Sequence, residues 1–333
     1  MYFYLTIAAL GSVLGRLAAG WAASMLHGFH CGGLLKCQEC GAGVSSRRRW
    51  LSLVPVRCQC GNSSGWWPVF SALGLAIVYA GFTWLLVGFP NCQGVHEVRP
   101  NGHLESARLW FHLALIFLLW VTLITDLLDY VIPDEIIYIG IPLAVVAAFW
   151  SGELQIIHVW VNWDEAYVSL YGPYLPEWMK NHHHLHGLAW SLAGMITGMS
   201  VTWLVRAISG TILGQPALGF GDVTLMGLIG AFIGWQPTLC VLAIAPLVGI
   251  VIGLLVRITT GRSFVAYGPY LVCSAIIVLC TWRWLWADYF ELRTIFSHWP
   301  TILGLLASVF AALIVLLGLL RLFRTVPAQS LRR

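Results

Sequence analysis

The sequence predicts an all-α fold: a polytopic integral membrane bundle of about eight or nine transmembrane helices, with a small cytosolic cysteine-rich loop. Three observations predict it. Only 10% of the 333 residues are charged, where soluble proteins carry about 25%. The hydrophobic share is 59%, and the mean hydropathy is +0.80. Several apolar runs reach the roughly 20 residues that cross a bilayer as a helix. This composition excludes an ordinary soluble enzyme. The net charge of +4 therefore bears on orientation in the membrane, not on nucleic acid.

Nine candidate spans follow in order: 3–25, 67–89, 109–126, 135–152, 187–208, 222–235, 237–257, 264–286 and 301–323. The first holds Arg16, and no small-residue cleavage site follows it, so it reads as a retained span. The sixth is too short to cross alone and must lie buried among others. It is expected to join the seventh as one bent unit, hinged near Gly234-Trp235-Gln236-Pro237. The chain divides into a first transmembrane helix (1–25), a cytosolic cysteine loop (26–66), a membrane core (67–286), and a further helix with a basic tail (287–333).

Basic residues set the direction. With the amino terminus outside, the inner loops hold twelve: Lys36, Arg47, Arg48, Arg49, Arg57, Arg206, Arg257, Arg262, Arg321, Arg324, Arg332 and Arg333. The outer loops hold five: Arg99, Arg108, Lys180, Arg283 and Arg293. The positive-inside rule selects this orientation.

Two acidic stations then reach the same membrane face. The first is Thr125-Asp126-Leu-Leu-Asp129-Tyr-Val-Ile132-Pro133-Asp134; the second is Gly219-Phe220-Gly221-Asp222. A carboxylate beside a span is costly to keep there, so it marks function by default. Asp126 and Asp129 are three apart and are expected on one helical face. Pro133 stops the third span, and Asp134 is placed to cap the next helix before Glu135. Gly219 and Gly221 offer backbone shapes closed to other residues, and Gln215-Pro216 keeps the preceding segment from plain helix. Asp222 then stands at the mouth of a helix. Two carboxylates that approach closely share a proton and titrate as a unit. One can take a proton from water while the other polarises a peptide carbonyl. The plainer readings are an N-cap for Asp222 and a snorkelling end-of-span acid for Asp126. Asp129 and Asp134 read as supports or caps.

These residues resemble the type IV prepilin leader peptidases, a family of GxGD membrane aspartyl proteases. Asp126, with Ile132-Pro133-Asp134 closing eight residues later, matches the family's first motif, and Gly219-Phe220-Gly221-Asp222 matches its second. Tyr267-Gly268-Pro269-Tyr270 is similar to its late Gly-Pro motif. The resemblance covers about 1–285. It implies an endopeptidase with Asp126 and Asp222 catalytic, supported by Asp129, Pro133, Asp134, Gly219 and Gly221. It also implies a bacterial inner membrane location and cutting on the cytosolic face. The substrates would be prepilins or pseudopilins, with a short basic leader before an apolar helix. Members often also methylate the new amino terminus with S-adenosylmethionine. Here Gly11-Ser12 fits, but Val13-Leu14-Gly15 stands where Phe-Leu-Asn is usual, which leaves methylation open. A signal-peptide-peptidase type of protease is disfavoured by Thr125 before Asp126 and by the cysteine loop. A proton- or cation-coupled transporter is disfavoured by acids at span ends and by the lack of a repeat.

In the inner loop, Cys37-x-x-Cys40 and Cys58-x-Cys60 offer four thiolates, with Cys31 as a possible substitute. Cytosolic thiols stay reduced, so structural zinc is expected at Cys37, Cys40, Cys58 and Cys60. The second pair is tighter than the family's usual Cys-x-x-Cys. Cys240, Cys273 and Cys280 read as packing residues. His182, His183, His184 and His186 read as a solvated outer tract. Trp160, Trp163, Tyr167, Tyr171, Tyr174 and Trp178 belong at a membrane–water boundary.

Overall fold

The computed structural model describes residues 2–26, 66–88, 91–98, 102–160, 176–215, 217–260 and 266–325. Among these the protein is all-α, with a single isolated bridge between Val95 and Val98. The helices are α1 (Tyr2–Leu26), α2 (Trp67–Val87), α3 (Gly102–Asp129), α4 (Asp134–Ser151), α5 (Glu177–Asn181), α6 (His183–Leu213), α7 (Phe220–Ile233), α8 (Trp235–Thr260), α9 (Gly268–Arg283), α10 (Leu292–Ser297) and α11 (Trp299–Thr325). A π turn, Trp284–Asp288, extends α9. Eight of these helices are long and apolar enough to cross a membrane, so the protein is a multi-pass membrane protein. The cysteine loop, with Cys37, Cys40, Cys58 and Cys60, lies outside the described residues.

α7 is the hub. Its 14 residues give a rod of about 21 Å, short of the roughly 30 Å hydrocarbon layer. It survives as a short element because α3, α4, α6, α8 and α9 all pack on it. Val223, Leu225, Met226, Leu228, Ile229, Phe232 and Ile233 are all buried.

The hinge expected near Gly234 is a full reversal. Gly234 has φ +82, a shape that glycine adopts without a side-chain penalty. Trp235 and Gln236, at the start of α8, bond the carbonyls of His158 and Val159 at the far end of the bundle. Gly249, further along α8, meets Tyr270 at the head of α9. α8 therefore runs back antiparallel to α7, and the two do not form one bent rod.

Glycines let the helices touch backbone to backbone. A Cβ on Gly194 would overlap the Gly230 carbonyl, and one on Gly230 would overlap the Gly194 carbonyl. Gly198 meets the Met226 carbonyl in the same way, so α6 and α7 lie in direct contact. Small residues at this spacing are how membrane helices associate without a hydrophobic driving force. α1 and α2 repeat the device. A Cβ on Gly15 would stand 2.9 Å from the Ala72 Cα, and one on Gly11 2.9 Å from the Ala76 Cα. Gly15, where the resembled family has another residue, thus serves a close crossing here. Ser71 Oγ donates to the Gly15 carbonyl at 2.6 Å and accepts from Trp120 Nε1 at 3.0 Å. This ties α1, α2 and α3 together. Ser71→Ala takes this partner from the half-buried Trp120 N–H and from the Gly15 carbonyl. It is expected to cost about 1–2 kcal/mol, read as a lower thermal midpoint in detergent.

The end of the bundle opposite the acidic stations is tied by polar contacts. Arg108 Nη2 donates to the Gln155 carbonyl at 2.7 Å. Trp286 Nε1 donates to Glu97 Oε1 at 2.7 Å. His158 Nε2 donates to the Glu97 carbonyl at 3.0 Å, and burial holds this imidazole below its ordinary pKa. His186 departs from the expected solvated tract: it is 1% exposed. Its Nε2 accepts from the Val159 N–H at 3.3 Å. Trp160 stacks on Trp235 with ring centres 6.2 Å apart. Trp163, Tyr167, Tyr171 and Tyr174 lie outside the described residues. α11 packs against α6 and α10.

Candidate active site

The first station forms where α3 ends. Asp126 is 4% exposed, facing into the bundle. The Tyr130 N–H closes the last turn on the Asp126 carbonyl at 3.2 Å, and Tyr130 then turns left-handed at φ 57. Few non-glycine residues take that shape, and it swings the chain sharply off the helix axis. Pro133 is extended at φ −71, ψ 129 and precedes α4. Thr125 turns its hydroxyl back onto the Thr122 carbonyl at 3.0 Å, away from the neighbouring acid.

Asp126 and Asp129 do not share a face. Asp126 is buried, while Asp129 is exposed at the frayed end. Asp134 is the first residue inside α4, and the N-cap position belongs to Pro133, where no side chain makes a capping bond. Asp134 and Glu135 instead place negative charge in the first turn, where the helix dipole favours it.

The second station is held by its own backbone. Asp222 is the third residue of α7 and reaches back: its Oδ2 accepts from the Gly219 N–H at 2.8 Å. This half of a capping box fixes the carboxyl at the helix mouth. Asp222 is 7% exposed. The glycines serve differently from expectation. Gly219 has an ordinary extended φ of −68, and Gly221 lies inside the helix. Space is what matters at Gly221, where a Cβ would stand 3.0 Å from the Ile132 Cβ. The Ile-Pro-Asp stretch therefore packs on the Gly-x-Gly-Asp turn, and this contact joins the stations.

The two acids come together. The Asp222 charge is felt at Asp126, and the Gly268 backbone lies against the Asp126 carboxyl. Asp126 Oδ2 is buried and has no hydrogen-bond partner. Tyr267, just before α9, is within electrostatic reach of Asp222. The late Gly-Pro motif thus forms the third wall. A Cβ on Gly268 would collide with Asp126 Oδ2. Gly268→Ala must push that carboxyl aside, and a shift near 1 Å is enough to cost about 100-fold in rate. The expected result is a fall of that order in kcat with a normal elution profile on size-exclusion chromatography.

Sequence reasoning missed two features of this site. Gly268 stood in a recognised motif but had no assigned contact. Arg206 was counted only as an inner-face charge. Its Nη1 donates to the Leu218 carbonyl, one residue before Gly219, and its charge acts on Asp222. A basic residue about four helical turns before an acidic turn carries no signal of that contact. Among the described residues no group of three metal-binding side chains gathers, and Cys92, Cys240, Cys273 and Cys280 are free thiols.

Residues 113–254 match the model of the type IV leader peptidase family. That stretch holds both acidic stations and ends before Gly268. Similar proteins carry the name prepilin leader peptidase/N-methyltransferase. One from Aeromonas salmonicida is 27% identical over 185 residues, 54% of this chain and 51% of its own. One from Pseudomonas putida is 26% identical over 182 residues, 53% of this chain and 50% of its own. One from Neisseria gonorrhoeae is 31% identical over 88 residues, 26% of this chain and 30% of its own. The aligned part thus spans about half the length of the longer-matching relatives. No solved structure matches. The family match falls on the stretch that holds both buried acids, so residues 113–254 of this chain are similar to the type IV leader peptidase family.

Proposed function

We propose that this protein is a membrane aspartyl endopeptidase that removes the leader from prepilins or pseudopilins. The observation that carries the reading is the burial of Asp126 and Asp222 within electrostatic reach of each other, inside the family-matched stretch. The pair holds one proton between its two carboxyls, because like charges this close do not both ionise comfortably. The ionised member takes a proton from water as the water oxygen bonds the peptide carbonyl carbon. The protonated member donates to the carbonyl oxygen. Return of a proton to the amide nitrogen then breaks the C–N bond. The buried, unbonded Asp126 Oδ2 is available to take part in this exchange. No metal enters the cut.

Acids at span ends support cleavage at a membrane face, which suits a basic leader joined to an apolar helix. The charge bias of the loops supports the cytosolic face of the bacterial inner membrane. The lipid bilayer surrounds the remaining apolar surface. The test is incubation of purified wild-type protein with a model prepilin, with mass spectrometry of the product. A single cut between leader and apolar helix is expected and should persist in chelator. Unchanged prepilin, beside substrate uptake into proteoliposomes, would favour the transporter reading instead.

The names of the relatives pair the peptidase with an N-methyltransferase. We propose S-adenosylmethionine-dependent methylation as a second activity, checked by transfer of a labelled methyl group to the processed product; no label in the product rejects it. Structural zinc on Cys37, Cys40, Cys58 and Cys60 is a further proposal. About one zinc per chain by elemental analysis, lost in Cys37→Ser/Cys40→Ser, is the expected result.

A further inference from the structure

Arg206 stands on α6, three turns along from the glycine that seats this helix on α7. Its side chain is half-buried. A basic residue at the inner end of a span ordinarily extends its head group to the interface. This one is turned onto the loop between α6 and α7, where Nη1 donates to the Leu218 carbonyl. The same turn of α6 makes a second attachment. Ser209 Oγ donates to the Arg206 carbonyl at 2.9 Å and accepts from the Ala217 N–H at 3.0 Å. The next residue, Gly219, is held by Asp222 itself. Ala217, Leu218 and Gly219 are therefore pinned in succession, and the last pin is the carboxylate of the dyad.

The guanidinium also matters for charge. Among the described residues, Asp222 has Asp126 from α3, Arg206 from α6 and Tyr267 from the segment before α9 in electrostatic reach. Arg206 is the cation among them. It makes no ion pair with Asp222 within 4 Å among the described residues, so it acts through space in a poorly screened setting.

We propose that Arg206 is a positioning residue of the aspartate pair: it fixes the loop that delivers Asp222 and sets a cation within reach of that carboxylate. This rests on the aspartyl-peptidase reading above. Loss of the guanidinium loosens the loop and removes the favourable charge, so the chemical step suffers more than substrate binding. Lys at this position keeps the charge but lacks the planar fork. It is expected to restore the electrostatic effect and only part of the positioning.

The experiment compares the full-length wild type, Arg206→Met, Arg206→Lys and Arg257→Met in lipid nanodiscs. Arg257 is an exposed basic residue in the last turn of α8 and serves as the control for inner-face charge. Cleavage kinetics should show kcat down by about 10- to 100-fold in Arg206→Met, with KM within about twofold. The acid limb of the pH profile should move to higher pH by about half a unit to one unit. Arg206→Lys should return that limb to its wild-type position, and Arg257→Met should match the wild type throughout. The second readout needs no substrate. A carbodiimide reacts with protonated carboxyls, and mass spectrometry follows labelling of the peptide that holds Asp222 against pH. In Arg206→Met this labelling should extend to higher pH. Unshifted labelling, or raised KM at wild-type kcat, overturns the role of Arg206. An equal fall in Arg257→Met also overturns it, because the effect is then general charge. A labelling shift beside a wild type that cuts no prepilin supports Arg206 and rejects the peptidase reading alone. If Arg206→Met does not fold, Arg206→Lys carries the test through its own kcat and labelling curve.

Discussion

Asp126→Asn and Asp222→Asn are each expected to abolish leader cleavage, with kcat down by at least about 10,000-fold, while the protein folds normally. The size of the effect follows from the division of labour. An amide cannot accept the proton of the attacking water, and it cannot hold the proton the pair shares. Removing either member therefore removes the function of both, and the double variant should be no worse than either single one. The fold should survive for reasons local to each position. An Asn at 222 keeps a side-chain oxygen for the Gly219 N–H that Asp222 Oδ2 now holds, and Asn serves helix starts well. An Asn at 126 removes a buried carboxylate that feels the Asp222 charge. Its thermal midpoint should equal or exceed that of the wild type, the usual exchange of stability against function at a strained site. Single-turnover cleavage beside a thermal melt of each variant reads both effects. Cutting retained in either variant would unseat the pair, with Asp129 and Asp134 the next acids to test. A lowered midpoint in Asp126→Asn would mean that its charge stabilises the fold.

Much of this architecture was legible in the sequence, because the bilayer limits what a chain can do with its backbone. Apolar runs located most ends of the long helices within a few residues, although α3 begins at Gly102, seven residues before the expected start at 109. Parity and loop charge put the end of α3 and the start of α7 on one face, which is where the structure brings Asp126 and Asp222 together. The geometry between helices was less legible, because it depends on who touches whom. Nothing in the sequence around Gly234 tells a kink from a reversal; the bonds of Trp235 and Gln236 to the His158 and Val159 carbonyls decide it. Gly221 looked like a conformational glycine and is a spatial one, because Ile132 comes from another helix end. Asp129 was expected on the face of Asp126 by spacing, but α3 ends at Asp129 itself, and this second acid is exposed. The roles of Gly268 and Arg206 are likewise contacts across long stretches of chain.

Gly230→Leu and Gly194→Leu are expected to prevent the bundle from assembling. A core substitution that adds volume usually costs about 1–3 kcal/mol, because neighbouring side chains shift. Here no side chain is available to shift. Each glycine faces the other's carbonyl, and Gly194 also faces the Gly234 Cα. Room for a leucine requires moving α6 bodily away from α7. That motion opens the contacts of the short helix that five others surround. It also exposes backbone and polar groups to lipid, where each unsatisfied group costs several kcal/mol. The separation would carry the α6 end with Arg206 off the Leu218 carbonyl, so the active-site loop is lost with the packing. Gly81 and Gly304 are the matched controls, since a Cβ at either meets nothing within 4 Å. Gly81→Leu and Gly304→Leu should elute and melt like the wild type. Gly230→Leu should give little monodisperse protein on size-exclusion chromatography. Any folded fraction should melt lower by at least about 10 °C, taking about 2–4 °C per kcal/mol for a chain of this order of size. If Gly230→Leu instead elutes as a single species at the wild-type midpoint, then α6 and α7 do not meet through their backbones, and the short helix must be held by another packing.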